Sequence, residues 1–173
     1  SIRQDLEKQL AKENWKRVNH TDSYQVTVTY QAEADYAFKL VCTDLADNQN
    51  QTVNYAEGTK AGAEFVIDKT KPVVTAVFNN NQAVNGKYFT DSRTVTITIA
   101  EHNFDAKKGM DIVVQAYTDE KCRHELEAFK APAVLFQAVK GKTDVYEATI
   151  TFHKNTNAFY RFSVAYADLA GNK

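Results

Sequence analysis

The sequence predicts a mainly β fold: antiparallel β-sandwich units with a short N-terminal amphipathic helix. Three observations carry this. Apolar and polar residues alternate in run after run, as strands with one buried face require. Those runs are rich in Val, Ile, Thr and aromatics, and turn residues rather than helices separate them. One stretch of the chain also repeats another, CTDLADNQ at 42–49 against YADLAGNK at 166–173.

The elements follow in order. SIRQDLEKQLAKENW sets Ile2, Leu6 and Leu10 on one helical face among charged residues, which predicts a helix over 2–14. Val26, Val28 and Tyr30 then alternate with Gln25, Thr27 and Thr29. After the polar turn AEAD the pattern resumes at Tyr36, Phe38, Leu40 and Cys42, which makes a hairpin. In FVIDKTKPVVTAVF an apolar strand runs into Asp68, a polar hinge follows, and Pro72 fixes the backbone before the next strand. A domain boundary is expected there, giving parts 1–68 and 69–173. Further strands are expected at Val95, Ile97 and Ile99, at Ile112 and Val114, at Ala148, Ile150 and Phe152, and at Phe162, Val164 and Tyr166. DEKCRHELEAFK (119–130) reads as a second, shorter helix stopped by Pro132.

The repeat extends beyond the turn. With Asp44 placed on Asp168, an offset of 124 residues, Tyr36 meets Tyr160, Phe38 meets Phe162 and Leu40 meets Val164. One strand earlier, TDSYQVTVTY (21–30) meets TDVYEATITF (143–152) at an offset of 122, so the intervening loop differs by two residues. Residues 1–68 then read as the C-terminal part of one repeat. Residues 69–173 read as a second repeat without its last strand, the equivalent of Gln49–Asp68. An unpaired strand edge is expected, and with it pairing to another copy.

Composition narrows the function classes. The 173 residues, 43% hydrophobic, can bury a core. Lys+Arg 21 against Asp+Glu 22 leaves a formal charge of -1, so no overall basic field exists to draw nucleic acid or an anionic bilayer. No apolar run approaches the ~18 residues of a spanning helix, and the chain begins at Ser1; a soluble piece of a longer protein without membrane insertion is expected. Cys42 and Cys122 lie in no CxxC or Cys/His cluster and read as unpaired thiols.

The ordered set DKTKP, RTVTITIAEHNFD (93–105), a Trp-containing segment before YQVTVTY, and YRFSVAYADLAGN resembles the tandem Ig-like repeats of large Gram-positive cell-surface proteins. The resemblance covers almost all of 65–173 and most of 15–68. Asp47 departs from it where the second copy has Gly171; aspartate tolerates the left-handed conformation better than most residues, so the turn is expected to survive. The resemblance implies an extracellular location on the bacterial surface or cell wall, with neighbouring repeats as partners. It also implies a role as a spacer or adhesion module meeting host glycan or matrix. It implies no ligand, and function must be argued from a site.

Candidate sites are few. Glu101, His102 and Asp105 in AEHNFDAKKG could hold a metal, although a polar turn anchored by Phe104 explains them more simply. Asp44, Asp47 and Asn48, with Asp168 in the second copy, are the first residues to suspect for calcium. Asp44 bonding nearby amides accounts for that turn without an ion. His20, His124 and His153 are scattered without evident partners. No nucleophile elbow, zinc-protease motif or phosphate loop appears, so neither catalysis nor a cofactor is expected. A Lys–Asn cross-link needs a desolvated lysine, and Lys39 points opposite to Phe38 and Leu40. Most tyrosines sit at inward positions. Trp15 reads as a core plug between helix and hairpin, and Tyr55 and Tyr88 are the better exposed aromatics. The alternative function, a glycan-binding module, would draw on Trp15, Tyr55 and Tyr88.

Overall fold

The computed structural model describes residues 1–50 and 64–173. It is mainly β with antiparallel sheets and one short helix, and it divides into two compact units, Ser1–Asp68 and Lys69–Lys173.

The first unit opens with α1 (Ile2–Gln9), set by a capping box: the Ser1 hydroxyl accepts from Gln4 N at 3.3 Å and the Gln4 side chain accepts from the Ser1 amine at 2.9 Å. The helix is shorter than the predicted 2–14. Ala11 turns to ψ 147°, and the Asn14 amide donates to the carbonyls of Lys8 and Gln9 at 2.9 and 3.1 Å, closing the C-terminus before a 3₁₀ turn at Lys12–Asn14. Strands β1 (Lys16–Arg17) and β2 (Tyr24–Gln25) pair antiparallel, as do β3 (Ala34–Ala37) and β4 (Glu64–Ile67). The predicted strands over 25–30 and 36–42 are thus regular only where a neighbour lies against them. Alternation says which face is apolar; a ladder also needs a partner. Tyr36 is buried, with the rings of Tyr30 and Phe65 at 4.9 and 5.1 Å.

The second unit contains β5 (Val73–Phe78), β6 (Arg93–Ala100), β7 (Met110–Tyr117), β8 (Gln137–Ala138), β9 (Val145–Phe152) and β10 (Phe159–Tyr166). One sheet has the order β5-β6-β9-β8, the other β10-β7, all pairs antiparallel. Val95, Ile97 and Ile99 of β6 are 0% exposed and form the core with Ile150, Phe152 and Tyr166. Ile112, Val114, Phe162 and Val164 of the two-stranded sheet pack on the same cluster. Both sheets therefore share one core, an arrangement consistent with a β-sandwich.

The helix predicted at 119–130 does not form. The Asp119 carboxylate accepts from the backbone N–H of Lys121, Arg123 and His124, at 3.1, 3.0 and 2.8 Å. Cys122 adopts φ 50°, and Tyr117 bridges Glu125. An aspartate that gathers successive amides offers the backbone a turn in competition with the helix.

Candidate functional site

The two DLA(D/G)N turns are built from the same bonds. In the first unit Asp44 N–H donates to Asn48 O at 2.9 Å, Asp47 N–H donates to Asp44 O at 3.1 Å, and Asn48 donates to both Asp44 carboxylate oxygens at 2.9 and 3.0 Å. In the second, Asp168 N–H donates to Asn172 O at 3.2 Å, Gly171 N–H donates to Asp168 O at 3.1 Å, and Asn172 donates twice to the Asp168 carboxylate at 2.8 Å. Asp47 takes φ 64° where Gly171 takes φ 88°. The preceding strands match as well: the Tyr36 hydroxyl donates to Ala32 O at 2.7 Å and the Tyr160 hydroxyl to Thr156 O at 3.4 Å, each four residues back. Tyr30 meets Tyr36, and Phe152 meets Tyr160, both at 4.9 Å and both edge-on.

The environments of the two turns differ. Asp44, Asp47 and Asn48 are exposed, and hydrogen bonds from the Asn48 side chain, the Asn48 backbone and the Ala46 backbone hold the Asp44 carboxyl below its ordinary range. Asp168 is buried. Its neighbour within the second unit is Glu101, also buried, with carboxylate oxygens inside 4.8 Å of one another. Glu101 accepts from Asn103 N–H at 2.6 Å. Two buried carboxylates this close are oxygen donors of the kind hard cations take.

The sequence grouped these residues differently. Sequence proximity places Glu101 with His102 and Asp105, yet exposed His102 bonds Asp144 at 2.9 Å, and Asp105 turns to cap its own loop by accepting from Lys107 N–H at 2.8 Å. Asp105 N–H donates to the Tyr166 hydroxyl at 2.9 Å. Phe104 does anchor the loop, stacked on Tyr146 at 4.3 Å and touching Tyr166. The Glu101–Asp168 pair spans 67 positions of sequence, which no local motif could reveal. His124 also has a partner that its neighbours in sequence did not suggest, Asp119 at 3.2 Å. Burial raises the Tyr166 hydroxyl above its ordinary range, against the opposing bond from Asp105.

Among the aromatics, Tyr88 is 45% exposed and meets Phe159 edge-on at 6.3 Å. Tyr55 lies outside the described residues. Trp15 is half-buried, and its indole N–H donates to Leu10 O at 3.2 Å. With Val26, Val28, Tyr30, Phe38 and Leu40 it lines an open groove of about 430 Å³ in the first unit, and Tyr24, 61% exposed, stands at the same groove. Lys39 is exposed, and Cys42 and Cys122 are free thiols.

In comparison with known proteins, the chain matches no family model, no curated protein and no solved structure.

Proposed function

We propose that the chain is a non-catalytic structural spacer or adhesion module, built from tandem Ig-like repeats of a large bacterial cell-surface protein. The observation that carries this reading is the strand order of the second unit. The orders β5-β6-β9-β8 and β10-β7 are those expected of strands A-B-E-D and F-C in a constant-type Ig sandwich, which supports the reading. The recurrence of turn bonds, tyrosine bonds and ring pairs in both units supports the repeat. Large aromatics in the second unit are mostly spent on packing, as a spacer requires: Tyr117, Phe152 and Tyr166 are buried. In such an array, short Pro-containing linkers like DKTKP restrict bending, so successive sandwiches hold a distal domain away from the cell.

One observation favours the glycan-binding alternative. Exposed Tyr24 and half-buried Trp15 lie at one open groove, a pairing suited to stacking on a sugar. The test is an array of host glycans and matrix proteins probed with the full chain and with Trp15→Ala, Tyr24→Ala and Tyr88→Ala. The spacer reading expects silence from all four proteins, and the adhesion reading expects matrix binding that all three variants keep. Saturable glycan binding that one variant loses would replace both with a lectin-like function.

A further inference from the structure

We propose that the open edge and groove of the first unit form a docking site for an antiparallel strand pair of the β5–β6 kind, supplied by a further copy of the repeat. The proposal rests on the repeat reading above.

The segment Tyr24–Tyr30 and strand β9 have equivalent outer neighbours, β1 in the first unit and β8 in the second. Lys16 and Arg17 lie opposite Gln25 and Tyr24, as Gln137 and Ala138 lie opposite Glu147 and Tyr146. Even the connecting turns agree: Val18 N–H donates to Ser23 O at 2.9 Å and Val139 N–H to Val145 O at 2.8 Å. His20 and Gly141 take φ 55° and 78° in the same place.

The inner neighbour is where they part. β9 runs its whole length against β6, with Ile99, Ile97 and Val95 opposite Tyr146, Ala148 and Ile150. Among the described residues, no strand pairs with Val26–Tyr30. The burial follows: Ala148 and Ile150 are 3% and 2% exposed, whereas their counterparts Val26 and Val28 stay half-buried over the groove. Antiparallel alternation fixes the direction of the backbone. Val18–Ser23 is a bonded pair, so Lys16–Gln25 is the next, and the N–H and C=O of Val26 and Val28 point to the edge away from β1. On the other side the Gln9 amide takes both polar groups of Thr29, at 2.7 and 3.1 Å.

Edges meant to face water are guarded by charge, proline or bulges. The stretch SYQVTVTYQA (23–32) has no charged residue and no proline. The strand that fills the equivalent place in the second unit, TVTITIA (94–100), is uncharged too, so the two can lie together without stranding a charge. The occupant is therefore a strand with β-branched aliphatic side chains at alternate positions, set opposite Val28, Val26 and Tyr24. It arrives as a pair because β6 is itself closed on its far side by β5.

A synthetic peptide of residues 71–101 of this chain, added to the full protein, tests this by hydrogen–deuterium exchange. The expected result is saturable protection of Val26–Tyr30, by about tenfold or more, with a shift in Trp15 fluorescence. A peptide carrying Ile97→Pro should give neither effect, and because that change is in the probe it leaves the protein's folding untouched. Unchanged exchange at Val26–Tyr30 would overturn the proposal, as would equal action of both peptides. Sedimentation showing the protein alone to be dimeric with that edge already protected would overturn it in favour of edge-to-edge pairing of two copies. Protection by a glycan instead of the peptide would assign the groove to a sugar. Failure here leaves the spacer reading intact, since that reading is judged on the array with protein alone.

Discussion

Replacing Gly109 by alanine should open one end of the β7–β10 ladder. Gly109 holds φ +72°, and a Cβ built there would sit 1.9 Å from the carbonyl oxygen and 2.9 Å from the carbonyl carbon of Ala167. Backbone atoms on both sides cannot yield as a flexible side chain would. The contact lies beside the Met110–Tyr166 pair, where Ala167 N–H donates to Gly109 O at 2.9 Å. The left-handed conformation costs alanine about 1–2 kcal/mol, and losing the hydrogen bond adds about 0.5–1.5 kcal/mol. With some loss of packing at buried Tyr166, the total is about 2–4 kcal/mol. Gly141→Ala is the matched control: φ is +78° with nothing within 4 Å of the new Cβ, so only the conformational cost of about 1–2 kcal/mol applies. Both substitutions reduce unfolded-state entropy alike, and that term drops out of the difference. Urea unfolding followed by far-UV circular dichroism gives both values, while fluorescence of Trp15, the single tryptophan, identifies the transition of the first unit. If Gly109→Ala proves no worse than Gly141→Ala, the close approach of Gly109 to Ala167 is not a constraint and the reasoning fails.

Ile97→Ala should destabilise the second unit by about 2–5 kcal/mol, since its side chain is fully enclosed, while Val77→Ala, 63% exposed, should stay within about 0.5 kcal/mol; thermal melts of the two variants compare them. Asp168→Ala removes a buried carboxylate that accepts both the backbone and side-chain amides of half-buried Asn172 and should cost about 1–3 kcal/mol, whereas Asp44→Ala in the exposed copy of the turn should cost less; equal losses in urea would show that burial of the turn is irrelevant. The pH profile should fall at both ends. Asp44, Asp91, Asp119 and Glu120 have folded pKa values below their ordinary ones, so their contribution is present above about pH 4 and is lost as pH drops through the folded values. Tyr160 and Tyr166 are shifted upward by burial, so theirs is present below about pH 10 and is lost as pH rises through the folded values. The phenolate absorbance of these two residues, read by difference against Tyr160→Phe and Tyr166→Phe variants in an alkaline titration, should therefore appear late and together with unfolding.

Periodicity located the strands of the second unit well because both faces of the information were present in the chain. Val95, Ile97 and Ile99 alternate with threonines, and the partners that turn alternation into a ladder lie on either side of them. In the first unit the same alternation at Val26, Val28 and Tyr30 overstated the regular structure, because the pattern encodes a face and not a neighbour. The helix at 119–130 failed for a local reason: Asp119 recruits three amides within five residues, and side-chain capture of that kind leaves little trace in apolar spacing. The DLA(D/G)N repeat gave the turn's location and its left-handed position, Asp47 or Gly171. It could not give the pairing of Asp168 with Glu101, which depends on where β6 and β10 end.

The register of β6 also has a history during synthesis. Its partner β9 enters the chain about 50 residues later, so at about 5–20 residues per second β6 waits roughly 3–10 seconds for the strand that will cover its inner edge. During that interval β5 can close one side, and an uncharged TVTITIA remains open on the other. A molecule whose finished core is most secure at Ile97 is therefore most vulnerable there while it is being made, and a chaperone that holds extended aliphatic segments would find β6 before β9 does.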